Sequence, residues 1–110
     1  MLLGWGAGSG EASSPLKALL HTYDKSKGLG AANRGRHSNA EVDTLIQKAL
    51  ATVDSDARGK LLAAATEKAV GENYGVIPLH YQVNTWAAKA GYKYLPRTDE
   101  RTIVMGLSAN

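Results

Sequence analysis

Ser38-Asn39-Ala40-Glu41-Val42-Asp43-Thr44-Leu45-Ile46 opens the stretch on which the reading of this chain turns. A serine followed three positions later by glutamate is a capping box. The Ser38 hydroxyl accepts from the Glu41 backbone N–H while the Glu41 carboxylate reaches back to the cap. Glu41 and Asp43 also complement the positive end of the helix dipole, which makes acid/base work the weaker reading of these two carboxylates. Beyond the cap, Val42, Leu45, Ile46, Ala49, Leu50 and Val53 recur at the spacing of one face of a 3.6-residue helix. The pattern predicts a helix over 39–53.

Working outward toward the carboxy terminus, Asp54, Ser55 and Asp56 interrupt and recap the chain, and a second helix is expected over 55–70. Its inner face is Leu61, Leu62, Ala65 and Ala69, and its many alanines suit close packing against a neighbour. Gly71 and Gly75 end it. Residues 76–83 then read as a strand with its proline near the start, Tyr92 and Tyr94 alternate as in a strand, and residues 102–105 form a β-prone run.

Toward the amino terminus, residues 24–37 are rich in Gly, Lys, Asn and Arg and read as a long loop. Ser14 and Pro15 suit the start of a helix carrying Leu16, Leu19 and Leu20 over 14–22. Residues 2–6 read as a short buried strand, more like the inside of a protein than a beginning, followed by a glycine-rich turn over 6–10. The expected fold is therefore α+β, a mixed α/β arrangement. Three helices pack on a small sheet built from 2–6, 76–83 and part of the tail.

The chain of 110 residues suits one small domain, and 44% hydrophobic with 21% charged residues is ordinary for a globular protein. The net charge of +3 is spread along the sequence, so no nucleic-acid partner is expected. The absence of cysteine excludes disulfides, thiolate metal sites and cysteine nucleophiles. No apolar run approaches the roughly 20 residues that span a bilayer, and no signal peptide is evident.

Tests of spacing remove most chemistry. Gly4, Gly6, Gly8 and Gly10 resemble a phosphate cradle, but Ser9 stands where a dinucleotide fingerprint requires glycine, and no Lys-Ser or Lys-Thr follows. Ser9 lacks a nucleophile elbow because Ala7 occupies the first required glycine position. His21, His37 and His80 are too far apart in sequence for a helical metal pair. No catalytic residue, metal or cofactor is expected. Trp5 and Trp86 are the aromatic candidates for a ligand cleft, with core packing as the plainer explanation of each.

Read in order, Gly4-Trp5-Gly6-Ala7, then residues 34–46, then Asp54-Ser55-Asp56-Ala57-Arg58, then Ile77-Pro78-Leu79-His80 resembles a known family. The sequence is similar to the last quarter of the extracytoplasmic solute-binding proteins that serve ABC importers for dipeptides, oligopeptides and nickel, and the similarity runs over nearly the whole chain. The resemblance implies a single partial domain of the periplasmic-binding-protein type II fold. Residues 1–85 would lie in the second large lobe, and 86–110 would return across the hinge.

It also implies a periplasmic or extracytoplasmic location, no enzymatic activity, and two partners for the full-length protein: a peptide or other small solute, and an ABC permease. The ligand-binding residues carried by the resemblance are Trp5, Gly6, Gly8, Ser9 and Glu11. Gly8 matches the position of an aspartate that holds the ligand's α-amine in dipeptide-binding relatives, and Glu11 is the nearest carboxylate that could replace it. Ala40 stands where relatives often carry proline. As an isolated fragment the chain is expected to form a homo-oligomer. The alternative expectation is a freestanding helical interaction module built on 38–70.

Overall fold

The computed structural model describes residues 1–109, and these form two compact units, Met1–Pro78 and the described residues from Leu79 onward. Mixed α+β is the observed class. The helices lie in the first unit and a two-stranded sheet lies in the second.

In the first unit, α1 (Ser13–Pro15) runs on as a π-helical segment, Leu16–Leu20, closed by the five-residue hydrogen bond from His21 N–H to the Leu16 carbonyl. Helix α2 is Ala40–Ala51 and α3 is Ser55–Thr66, which also continues as a π-helical segment, Glu67–Glu72. Thus all three expected helices form. The core is a seam between α2 and α3, where Val42, Ile46, Ala49, Ala65 and Ala69 have no exposed surface and Leu62 is nearly as buried. Leu16 and Leu20 complete this cluster, and the partly buried Leu45, Leu61 and Val76 pack against it.

Several local expectations fail for identifiable reasons. The α2 cap is Asn39, because its side-chain oxygen reaches the N–H groups of both Glu41 and Val42. Ser38 is diverted to the Thr22 hydroxyl at 2.9 Å, and the Glu41 carboxylate reaches Lys68 at 2.7 Å, so the capping box does not form. At α1 the capping position is Ala12, and Ser14 lies inside the helix. The apolar stripe of α2 ends at Ala49. Leu50 is turned outward, and Val53, beyond the helix end, is 97% exposed.

The two strands expected at 2–6 and 76–83 are absent. A strand needs a partner for its backbone groups, and among the described residues neither stretch makes a backbone hydrogen bond with the other or with any other segment. The sheet is instead β1 (Tyr92–Tyr94) antiparallel to β2 (Leu107–Ala109), with Tyr92 opposite Ala109 and Tyr94 opposite Leu107. Residues 102–105 do not form a strand; they lead into and enter a short 3₁₀ turn, Val104–Gly106, that turns the chain into β2.

The loop over 24–37 is tied down by backbone bonds to Lys17 and Ala18, by His37 Nδ1 at the Leu20 carbonyl, and by Asn33. Buried Asn33 donates from Nδ2 to the carbonyls of His21 (3.0 Å) and His37 (2.7 Å) and accepts the His37 N–H at 2.9 Å. Gly30 permits the fit, since its φ is 62° and an added Cβ would lie 2.4 Å from the His21 carbonyl oxygen.

Two outcomes follow from this packing. Ile46→Ala leaves a void in the seam and should cost about 2–5 kcal/mol. Val53→Ala, at an exposed site, should cost about 0.5 kcal/mol or less. Denaturant titration of both variants checks the assigned face. Gly30→Ala should destabilise more than Gly6→Ala, because a Cβ at Gly6 meets nothing; the same titration compares them.

Candidate functional site

The segment from Trp5 to Glu11 precedes α1 and includes a turn closed by Gly10 N–H donating to the Ala7 carbonyl at 2.8 Å, with φ of 71° at Gly10. Trp5 is 45% exposed, and Gly6, Gly8 and Ser9 lie on the surface. A Cβ at either Gly6 or Gly8 would meet no atom, so packing within the chain does not require glycine there.

Glu11 is held differently. Its carboxylate accepts from both Arg58 Nε and Arg58 Nη2, a bidentate pairing with the second contact at 2.9 Å, and also from the Ser13 hydroxyl. Arg58 lies in the first turn of α3, whose cap is Asp54, accepting from Ala57 N–H at 2.8 Å. Another guanidinium nitrogen, Nη1, donates to the Thr52 carbonyl at 3.4 Å. The start of α3 is thereby tied to the lead into α1. Hydrogen bonds from Arg58 and then Ser13 hold the Glu11 carboxyl well below its ordinary value of 4.5, at about 2.

The five residues expected to touch ligand thus form one continuous segment, but they differ in availability. Trp5, Gly6, Gly8 and Ser9 are open, while the Glu11 carboxylate is already engaged. Sequence reasoning gave Arg58 no site role, although its i+4 position after the capping Asp54 puts it one turn inside α3, within reach of the preceding segment.

Two hollows lie elsewhere. One, of about 590 Å³, lies between α2 and the α3 continuation and is lined by Glu41, Thr44, Leu45, Glu67, Lys68 and Glu72. Lys68 bridges Glu41 at 2.7 Å and Glu72 at 3.2 Å, and those two hydrogen bonds, Glu41 first, raise its pKa. The spacing of Lys68 and Glu72 was the available sequence signal for this contact.

The other, of about 310 Å³, lies in the second unit around Trp86, Lys89, Tyr92, Tyr94, Thr102 and Leu107. The Trp86 and Tyr94 ring centroids are 5.8 Å apart, tilted by 37°. Trp86 Nε1 donates to the Thr102 hydroxyl at 3.0 Å, and the Tyr94 hydroxyl accepts from Ile103 N–H and donates to the Arg101 carbonyl. Neither hollow includes residues 5–11.

Among the described residues, no group of three or more His, Asp or Glu side chains is arranged to hold a metal ion, and no helix is long and apolar enough to cross a membrane. Comparison with known protein families, with curated proteins and with solved structures finds no match to this chain.

The Glu11–Arg58 pair sets a pH dependence. A carboxyl whose folded value is lowered contributes stability that is complete above its unfolded value of 4.5 and is lost as pH falls toward about 2. Arg58→Gln should therefore lower the thermal midpoint at neutral pH, and the difference from the parent chain should shrink between pH 4.5 and pH 2. Thermal unfolding followed by circular dichroism across that range checks it.

Proposed function

We propose that this chain is the carboxy-terminal part of an extracytoplasmic solute-binding receptor of the peptide and nickel ABC-importer family, a piece of the periplasmic-binding-protein type II fold that performs no chemistry. Its role would be to supply part of one wall of a ligand cleft in a receptor that delivers a peptide or similar small solute to an ABC permease.

The observation that supports this reading is the Glu11–Arg58 pair, which ties the chain just after the Trp5-to-Ser9 segment to the start of α3. Arg58 belongs to the stretch following Asp54. Asn39, from the stretch over 34–46, caps the helix that packs against α3. Residues separated widely in sequence thus support one open glycine-rich segment with an accessible tryptophan. A flat, partly exposed indole beside bare backbone suits one side of a solute cleft.

The apolar side chains left exposed over 2–5 also support a part of a larger receptor, since such surface is normally covered. With glycine at position 8 and Glu11 committed to Arg58, residues 5–11 offer no free carboxylate for an α-amine. The reading therefore favours a solute that does not depend on such a clamp here.

A small ligand is held by burying most of its surface between two walls. Calorimetric titration of the 110-residue chain with dipeptides and oligopeptides should give no heat, whereas the chain joined to the lobes encoded upstream should bind its solute. The reading fails if the reading frame upstream of residue 1 encodes no further lobes and no permease gene lies beside it.

A further inference from the structure

Residues 76–88 carry no Asp, Glu, Lys or Arg, and among the described residues none of their backbone N–H or C=O groups takes part in a hydrogen bond. A bend at Gly75 and Val76 leads into it, and no turn or bend interrupts residues 77–88. Within it, Ile77, Leu79, Tyr81 and Val83 alternate with Pro78, His80 and Gln82, and all four are exposed, Tyr81 at 99% and Leu79 at 67%. Period-two alternation puts these four side chains on one face of an extended strand. Unpaired backbone together with a bare apolar face is the surface that strand pairing covers.

We propose that residues 77–83 pair antiparallel with the same residues of a second copy of this chain, about a twofold axis at His80. The proline selects the edge. Along a strand, the N–H and C=O groups of odd and even residues point to opposite edges. Pro78 has no N–H, so the even edge is incomplete, while 77, 79, 81 and 83 offer an intact row of donors and acceptors. Pairing through that row makes 77 with 83 and 79 with 81 hydrogen-bonded pairs and leaves Pro78 opposite Gln82 at a non-hydrogen-bonded position.

The register follows from the side chains. With the axis at His80, Ile77 meets Val83 and Leu79 meets Tyr81, so each of the four apolar residues is opposite another of them. Moving the axis by one residue along the strand in either direction keeps the odd edge in use but sets one of the four opposite Thr85 or Gly75. Cross-strand aliphatic and aromatic pairs of this kind stabilise a sheet.

The occupant is a second copy because the pattern is complementary to itself. No charge in the stretch repels its own image or selects a different partner, and a twofold contact brings the same patch of both copies together. Edge strands that avoid self-pairing usually carry a lysine or another charge, and this one does not. The contact is short compared with the roughly 1,200 Å² of a stable interface, so the dimer is weak and depends on concentration.

The chain has no cysteine, so a single introduced thiol reports the register. In a non-hydrogen-bonded antiparallel pair the Cα atoms are about 4.5 Å apart, inside the range a disulfide spans. His80→Cys should therefore form a disulfide-linked dimer of the 110-residue chain on mild oxidation, read by non-reducing electrophoresis.

Gln82→Cys should form roughly ten times less, because its own copy lies four residue steps away, about 13 Å, beyond the reach of a disulfide. Adding Leu79→Lys and Tyr81→Lys to His80→Cys sets like charges opposite each other and should abolish the cross-link. These side chains are exposed and stand outside the α2–α3 seam. Equal cross-linking at 80 and 82, which parallel or unspecific association would give, overturns the proposal. So does a cross-link at neither position, as when another segment or partner covers the strand, or one at His80→Cys that survives the lysines.

Discussion

Close contact between α2 and α3 is the constraint on which the first unit depends. The residues at the seam are small where the helices meet: Ala49 from α2, Ala65 from α3 and Ala69 from its π-helical continuation, all without exposed surface. Alanine brings two helix backbones near each other, and the larger Val42, Ile46 and Leu62 then fill the space beside that approach. Leu16 and Leu20 of the leading helical segment reach this same cluster. Its position in turn fixes the loop over 24–37, because the Leu20 and His21 carbonyls are the anchors for His37 Nδ1 and Asn33 Nδ2. Without the seam neither the loop nor the α1 lead would have a surface on which to settle.

Charged contacts on this framework serve different ends according to how far apart their residues are in sequence. Arg97 and Asp99 are two residues apart, and their pairing, which holds the Asp99 carboxyl at about 2, organises a local turn. Lys68 bridges Glu72 on its own segment and Glu41 on α2, so it links neighbours the core already brings together. Arg58 and Glu11 are different, because they join an early segment to a helix that begins much later in the chain. A bidentate guanidinium–carboxylate pair has a fixed geometry that a single lysine contact lacks. That rigidity favours a positioning role for Glu11, distinct from direct ligand contact, under the receptor reading.

The helices were legible because their signal is internal. Val42, Ile46 and Ala49 repeat at helical spacing, and so do Leu62, Ala65 and Ala69, whatever the rest of the chain does. The caps were less legible, since Ser38, Asn39 and Glu41 each had an alternative partner. Thr22 and Lys68, distant in sequence, took Ser38 and Glu41 and left Asn39 at the helix end. Tyr92 and Tyr94 do lie in a strand, but the strands expected over 2–6 and 76–83 misled for the opposite reason. Alternation over 77–83 is strong, but a strand is completed by its neighbour, and sequence pattern states a capacity to pair without supplying the mate. Of the candidate site, the segment over 5–11 could be picked out by residue type, while the capture of Glu11 depended on where α3 begins. Asn33 gave no sequence sign that it would become the buried anchor of its loop.

The two units also differ in what holds them. Every fully buried apolar side chain among the described residues belongs to the first unit, the last of them being Ala69. From Leu79 onward the described chain has none, and its order rests on a three-residue strand pair, the Trp86–Tyr94 contact and the hydrogen bonds of the Trp86 and Tyr94 edges. A two-stranded ribbon is marginal in water without a hydrophobic face packed against something else. The first unit therefore has the means to stand by its own packing, and the second gains from any surface that covers its apolar residues. Leu79, Tyr81 and Val83 stand at the beginning of that second unit, where cover would contribute most. The same weakness makes the segment accessible to strand pairing, because among the described residues no backbone hydrogen bond over 77–83 has to be broken before another chain can dock.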